Sequence, residues 1–218
     1  MMDVIQLALA LAGGYVLGSV PFGVVWVFVF TGQDVRTVGS GRTGGTNAMR
    51  AAGFGVGLLT TTSDILKGTF AVWAAQWLLP ADARAAGMVL AGLGSILGHN
   101  YSLFLKFKGG AGGATCAGAA VGIWPWAALI VVPLGAFILY FVGYASVATL
   151  AAAIAVTITF AYMASLGQLD PIFIWYGVGS VLLLAWALRP NLARLVRGEE
   201  RLVGLRAKRK AGMQNPKS

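Results

Sequence analysis

Two glycine-rich stretches hold the residues of this chain best suited to chemistry on an anion. The first reads Gly39-Ser40-Gly41-Arg42-Thr43-Gly44-Gly45-Thr46-Asn47. Glycine reaches positive φ and leaves successive backbone amides free to converge on a negative group. Ser40, Thr43, Thr46 and Asn47 add neutral hydrogen-bonding groups, while Arg36, Arg42 and Arg50 add charge. Arg42 can grip a phosphate through two parallel hydrogen bonds. The stretch lacks the Lys-Ser/Thr ending of a P-loop, and no parallel sheet precedes it. It reads either as a phosphate cradle or as a flexible interhelical turn.

The second stretch runs from Gly98-His99-Asn100 through Lys106, Lys108, Gly109 and Gly110 to Thr115. It pairs another flexible amide array with two ammonium groups. His99, with a reference pKa of about 6.5, can take or give a proton. A third group, Asp64-Ile65-Leu66-Lys67-Gly68, lies inside an apolar run. Asp64 and Lys67 are three residues apart and share a helix face. Each costs about 2.5–3.5 kcal/mol to place in a bilayer. They must therefore face the bundle interior, either as a mutual pair or with Lys67 turned to an anionic substrate.

The elements that carry these groups are membrane spans. Of 218 residues 58% are hydrophobic and only 11% charged, and the mean hydropathy is +0.78. That excludes a disordered chain and opposes a soluble domain. Seven spans of about 20 residues would use about 140 positions, leaving no room for a separate soluble catalytic domain. Apolar runs cover 4–30, 56–79 and 85–104, and a nearly continuous one covers 114–186. Breaks at Trp124-Pro125, at Gly143-Tyr144 and from Gly167 to Pro171 divide the last into four. The expected fold is an all-α polytopic membrane bundle of about seven spans, with residues 1–200 as the integral domain and 201–218 as a basic tail. The run 114–123 is short enough for a half-span.

Charge orients the bundle. The formal charge is +9. With seven spans, every basic residue except Lys67 and Arg84 falls on one side, and Asp3, Asp82 and Asp170 fall on the other. The positive-inside rule then places the N-terminus outside and the C-terminus in the cytoplasm. Arg206, Lys208, Arg209 and Lys210 would rest on anionic headgroups. So segregated a charge argues against nucleic acid as the partner. The lone Cys116 excludes an intramolecular disulfide and reads as a packed thiol, and the lone His99 excludes a histidine-rich metal site. Gly13, Gly14, Gly87, Gly92 and Gly94 should let helices pack closely. No internal repeat supports a transporter.

In this order the blocks resemble the PlsY family of bacterial acyl-phosphate:glycerol-3-phosphate acyltransferases. Gly18-Ser19-Val20-Pro21-Phe22-Gly23 is similar to the family's Gly-Ser-Ile-Pro-Phe-Gly. Gly39 to Asn47, Asp64 to Gly68, and Gly98 to Thr115 resemble its first, second and third cytoplasmic motifs. The tail segment from Arg189 and Asn191 to Glu199 resembles its C-terminal segment. The resemblance implies a seven-span inner-membrane enzyme that moves a fatty acyl group from acyl-phosphate to the 1-hydroxyl of glycerol 3-phosphate. It implies catalytic roles for Ser40 and His99, with Asn100 beside them. The residues and the resemblance together give expected substrate-binding roles to Gly39, Gly41, Arg42, Thr46, Asn47, Asp64, Lys67, Gly68, Lys106, Lys108, Gly109, Gly110, Ser146, Arg189 and Asn191.

The partners would be the two substrates and membrane lipid. No cofactor is implied, and Asp64 and Glu199 are too few carboxylates for a hard cation. Three departures stand out: Arg42 replaces an asparagine, Ala111 replaces the lysine of Gly-Gly-Lys-Gly, and Leu188 replaces a histidine. Gly45 also stands where the family has alanine. The residues themselves also suit a small carrier of a phosphorylated metabolite, and the departures suit an inactive paralogue. Arg42 restoring the charge absent at Ala111 is the expectation for an active enzyme.

Overall fold

In the computed structural model, residues 3–203 and 206–207 are described, and among them all regular structure is helical. Eight α-helices follow in order: α1 (Val4–Ser19), α2 (Phe22–Thr31), α3 (Gly45–Leu78), α4 (Ala81–Asn100), α5 (Gly113–Ile123), α6 (Ala128–Phe141), α7 (Ala145–Ser165) and α8 (Phe173–Val196). Four stretches are long and apolar enough to cross a membrane: Val4–Thr31, Ala81–Leu105, Ala145–Ser165 and Phe173–Val196. The helical segments Gly113–Ile123 and Pro125–Phe141 are shorter but apolar. Each of the seven apolar runs is helical. The bundle is all-α and polytopic as expected, with α3 and the two short helices completing it.

The first run is not one helix. Pro21 has no amide hydrogen and pushes the preceding residue out of the α region. Val20 accordingly sits at φ −58°, ψ 118°, ending α1 and freeing its own carbonyl. The second departure from expectation is α3. It starts at Gly45, not after Gly53, so Thr46 and Asn47 stand in its first turn rather than in a loop. Gly53, at φ 86° and ψ 176°, then kinks the helix.

Glycines set how closely the helices approach. A Cβ on Gly14, Gly18, Gly94 or Gly98 would come within 2.4 Å of a backbone oxygen across the α1–α4 contact. On Gly68 and Gly118 it would meet Thr115 O at 2.3 Å and Ile65 O at 1.9 Å, so α5 lies against α3 with almost nothing between the backbones. This is the small-residue packing that membranes favour, where apolar burial gives no advantage over lipid. Of the glycines expected to do this, Gly14 and Gly94 do. Gly87 and Gly92 make room for the Leu79 side chain and the Tyr176 ring, and Gly13 faces open space. The main core joins α3, α4, α5, α7 and α8 around Ile96, Ala119, Val156, Phe160, Tyr176 and Leu184. Cys116 is buried there, beside the Tyr176 hydroxyl, which donates to its carbonyl at 2.6 Å.

Candidate active site

The buried ions come together first. Asp64 is 1% exposed and forms an ion pair with Lys67, Oδ1 to Nζ 2.8 Å. The same oxygen lies 3.4 Å from His99 Nδ1 on α4. Lys67 also donates to the carbonyl that Pro21 freed, Nζ to Val20 O 2.9 Å, and stands 5.8 Å from the Phe22 ring centroid. Asp64 therefore links α3 to α4, and Lys67 links α3 to the α1–α2 break. The mutual-pair reading of Asp64 and Lys67 holds, and His99 joins it from another helix.

The first glycine-rich stretch is built around Asn47. Its Nδ2 lies 2.9 Å from the carbonyls of Val35, Val38 and Arg42, and its Oδ1 accepts from Ser40 N at 3.0 Å. The carboxamide is thus engaged with the loop backbone, and Asn47 shapes the loop. Gly39 and Gly41, at φ 55° and 70°, let the chain wrap around it. Gly45 packs where a Cβ would meet Thr61 Oγ1 at 1.9 Å, so the alanine of the family pattern would require Thr61 to move.

The second stretch is seated on α4. Gly110 N donates to His99 O at 2.9 Å. A Cβ on Gly109 would meet His99 O, and one on Gly110 would meet His99 Nε2, each at 2.0 Å. Tyr15 Oη donates to Tyr101 O at 2.8 Å, and Ser102 Oγ to Ser19 O at 2.6 Å. These bonds hold the end of α1 against the start of the loop.

The two stretches meet in one cavity of about 230 Å³. Arg42 lines it from the first, Asn100, Tyr101, Gly109 and Gly110 from the second, and Trp186, Ala187, Arg189 and Pro190 from α8. Arg42 donates through Nη2 to Ala187 O at 2.8 Å, which fixes it against α8. Its Nη1 is buried with no hydrogen-bond partner, as are both polar atoms of the Asn100 side chain. Burial pulls the Arg42 pKa below its ordinary value; Arg194 adds to this, and Glu200 opposes it. Arg189 lies over the Trp186 ring at 3.8 Å, a cation–π contact that fixes its direction. A desolvated guanidinium with a free N–H beside an unpartnered carboxamide is an incomplete set, and an anion with hydroxyl groups would complete it.

The remaining expected residues lie outside that lining. Asp64, Lys67 and His99 form a buried cluster that joins α3 to the last turn of α4, where Asn100 follows His99. Gly68 is a helix-packing residue against α5. Ser40 is half-buried, Thr46 likewise, and Lys106 and Lys108 are exposed. Ser146, in the first turn of α7, is 1% exposed and its hydroxyl has no partner. Asn191 is buried and donates to Glu200 Oε1 at 2.6 Å.

Glu200 is the residue that the sequence reading passed over in favour of Glu199. Glu199 pairs with Arg197 on the surface at 2.9 Å, whereas the Glu200 side chain is 5% exposed and also takes Arg194 at 3.2 Å. The segment that follows is strapped across the same end of the bundle. Arg201 donates to Gly39 O, Val203 N to Gly143 O at 2.9 Å, and Arg206 to Val142 O at 3.0 Å. Arg206, expected on lipid headgroups, is therefore engaged by protein; Lys208, Arg209 and Lys210 lie outside the described residues. Leu188, in place of the family's histidine, is 2% exposed, so an apolar side chain suits the position. A Gly-Glu-Glu sequence carries no signal of which glutamate turns inward.

The family model described as Glycerol-3-phosphate acyltransferase matches residues 8–198. The glycerol-3-phosphate acyltransferase of Aromatoleum aromaticum is 37% identical over 196 residues, covering 90% of this chain and 96% of that protein. That of Thermus thermophilus is 37% identical over 197 residues, with coverage of 88% and 93%. The crystal structure of PlsY (YgiH), an integral membrane glycerol 3-phosphate acyltransferase, in its glycerol 3-phosphate form superposes with a TM-score of 0.79 at 31% identity, covering 91% of this chain and 96% of that one. Its lysophosphatidic acid form gives 0.76 at 29%. The family model, these relatives and the matching integral membrane fold define an integral membrane acyltransferase. Within that class, the chain belongs to the glycerol-3-phosphate acyltransferase family.

Proposed function

We propose that this chain transfers a fatty acyl group from acyl-phosphate to the 1-hydroxyl of glycerol 3-phosphate, giving lysophosphatidate. The observation that carries the reading is the buried, unpartnered pair of Arg42 Nη1 and the Asn100 carboxamide, set in one cavity with Gly109, Gly110 and Arg189. A glycerol phosphate offers both the charge that Arg42 and Arg189 want and the hydroxyls that Asn100 can meet.

The acceptor oxygen attacks the acyl carbonyl carbon, and a new ester C–O bond forms. The anhydride bond between that carbon and the phosphate oxygen breaks, and the departing phosphate keeps the electron pair and takes the hydroxyl proton. Acyl-phosphate is already activated, so no covalent enzyme intermediate is needed. The protein holds both reactants in line and places positive charge and N–H groups where negative charge grows. Arg42, Arg189 and the glycine amides do this at the cavity. The Asp64–His99 contact fixes the end of α4 and so aims Asn100. The polar end would face the cytoplasm of a bacterial inner membrane, because the basic residues gather there.

Purified protein in detergent, given labelled glycerol 3-phosphate with palmitoyl-phosphate or palmitoyl-CoA, tests this. Lipid product from the acyl-phosphate without a closed compartment is the expected result. A carrier would show movement only across a sealed membrane, and an inactive paralogue would bind without turnover; either result refutes the proposal.

A further inference from the structure

The loop that supplies Gly109 and Gly110 to the cavity begins with a run the cavity does not use. Leu103, Phe104 and Phe107 are 50%, 57% and 60% exposed. Lys106 and Lys108 are exposed beside them, and none of the five lines the cavity. The run is held in place: Phe107 N donates to Ser102 O at 2.8 Å and Lys108 N to Leu105 O at 3.1 Å, with Leu105 itself buried. Lys106 and Phe107 hold φ of 53° and 59° in succession, a left-handed backbone that side chains other than glycine seldom adopt. Such backbone persists where the surroundings fix it, and it gathers at functional segments.

This run overlaps and follows the end of Ala81–Leu105, a stretch long and apolar enough to cross a membrane. Large apolar groups interleaved with ammonium groups match, in both polarity and charge, the boundary where hydrocarbon gives way to headgroups. We propose that residues 103–108 form a wedge seated in a leaflet containing anionic phospholipid, with Leu103, Phe104 and Phe107 in the acyl layer and Lys106 and Lys108 on headgroup phosphates. Lys106 and Lys108 thereby serve the membrane rather than the substrate phosphates. Resting on the proposed acyl transfer, the wedge also gives the lipid-borne donor its route. A donor whose chain stays in the leaflet brings its phosphate to Gly109 and Gly110, one and two residues beyond Lys108.

The test uses the full chain in nanodiscs. A Cys116→Ser, Phe104→Cys variant is labelled at residue 104 with an environment-sensitive fluorophore. Blue-shifted emission, quenched by chain-brominated phosphatidylcholine and quenched more when phosphatidylglycerol is added, is expected. Water-like emission without quenching would overturn the wedge, as would quenching that is indifferent to phosphatidylglycerol for its anionic-lipid part. In the second arm, Phe104→Ser, Phe107→Ser should raise the KM for a long-chain acyl-phosphate about tenfold while leaving the KM for glycerol 3-phosphate in place. An unchanged donor KM, or an equal rise in both, would overturn the donor route. If the unsubstituted protein makes no product, the acyl-transfer reading fails, and the fluorescence arm alone decides the wedge.

Discussion

Gly110 lies against His99 so closely that its amide donates 2.9 Å to the His99 carbonyl while its α-carbon leaves no space for a methyl group. One residue thus fixes both the backbone at the end of α4 and the imidazole beside it. The cavity wall and the Asp64–His99 cluster are therefore one construction. Gly110→Ala must move either the loop or the ring, and overpacking of this kind costs about 1–3 kcal/mol. Expected are a lower unfolding temperature and a kcat loss of tenfold or more, about 1.4 kcal/mol in the barrier. Normal turnover in Gly110→Ala would show that the loop has slack.

Among the described residues, Asp64 is the acid that meets both Lys67 and His99. Removing its charge leaves Lys67 buried with the Val20 carbonyl and the Phe22 ring but no counter-charge. Breaking a buried pair from one side costs about 3–5 kcal/mol, whereas replacing both members by apolar groups is often neutral. Asp64→Asn should therefore unfold at a distinctly lower temperature in detergent than the doubly substituted Asp64→Leu, Lys67→Met. Equal loss in the two proteins would mean that the pair is not what stabilises α3.

Arg42 and Gly110 line the same cavity, and Ala111, which stands where the family pattern has lysine, follows Gly110 in the chain. A hydrogen bond to a charged group is worth about 1.5–3 kcal/mol. Arg42→Asn should thus raise the KM for glycerol 3-phosphate by roughly tenfold to a hundredfold. Adding Ala111→Lys should recover part of that loss. If Arg42→Asn leaves acceptor affinity and turnover untouched, the relocated-charge account is wrong.

Glu200 acts on the site through its charge, which favours the ionised Arg42, and through others: it anchors Asn191 and Arg194, and the next residue, Arg201, bonds to Gly39. Glu200→Gln keeps the size but removes the charge, and it should raise KM for the acceptor while changing kcat less. Glu200→Asp, which keeps the carboxylate, should restore part of the affinity. A pure loss of stability with an unchanged KM would make the contact structural only.

The sequence alone was sufficient for the membrane class, because apolar runs long enough to span a bilayer admit few other structures. It also marked both glycine-rich stretches, since glycines free backbone amides and the basic residues beside them add charge for an anion. Gly39 and Gly41 were legible as places where the backbone reaches positive φ, whereas the close approach of Gly109 and Gly110 to His99 was not.

What only the tertiary structure decided is which polar group meets which. Asn47 and Gly68 are expected to bind substrate, and the fold adds that the Asn47 carboxamide holds the loop backbone while Gly68 lets α5 pack against α3. Val20 offered no signal, yet the proline after it turns a backbone carbonyl toward Lys67. Glu199 and Glu200 differ by one position on the same turn, and only the fold of residues 197–203 sends the second inward. Such choices depend on contacts between residues as far apart as Arg42 and Ala187, which local pattern does not encode. Hydropathy fixes what a segment must avoid, but a polar partner is set by where the packed helices leave a donor or acceptor unpaired.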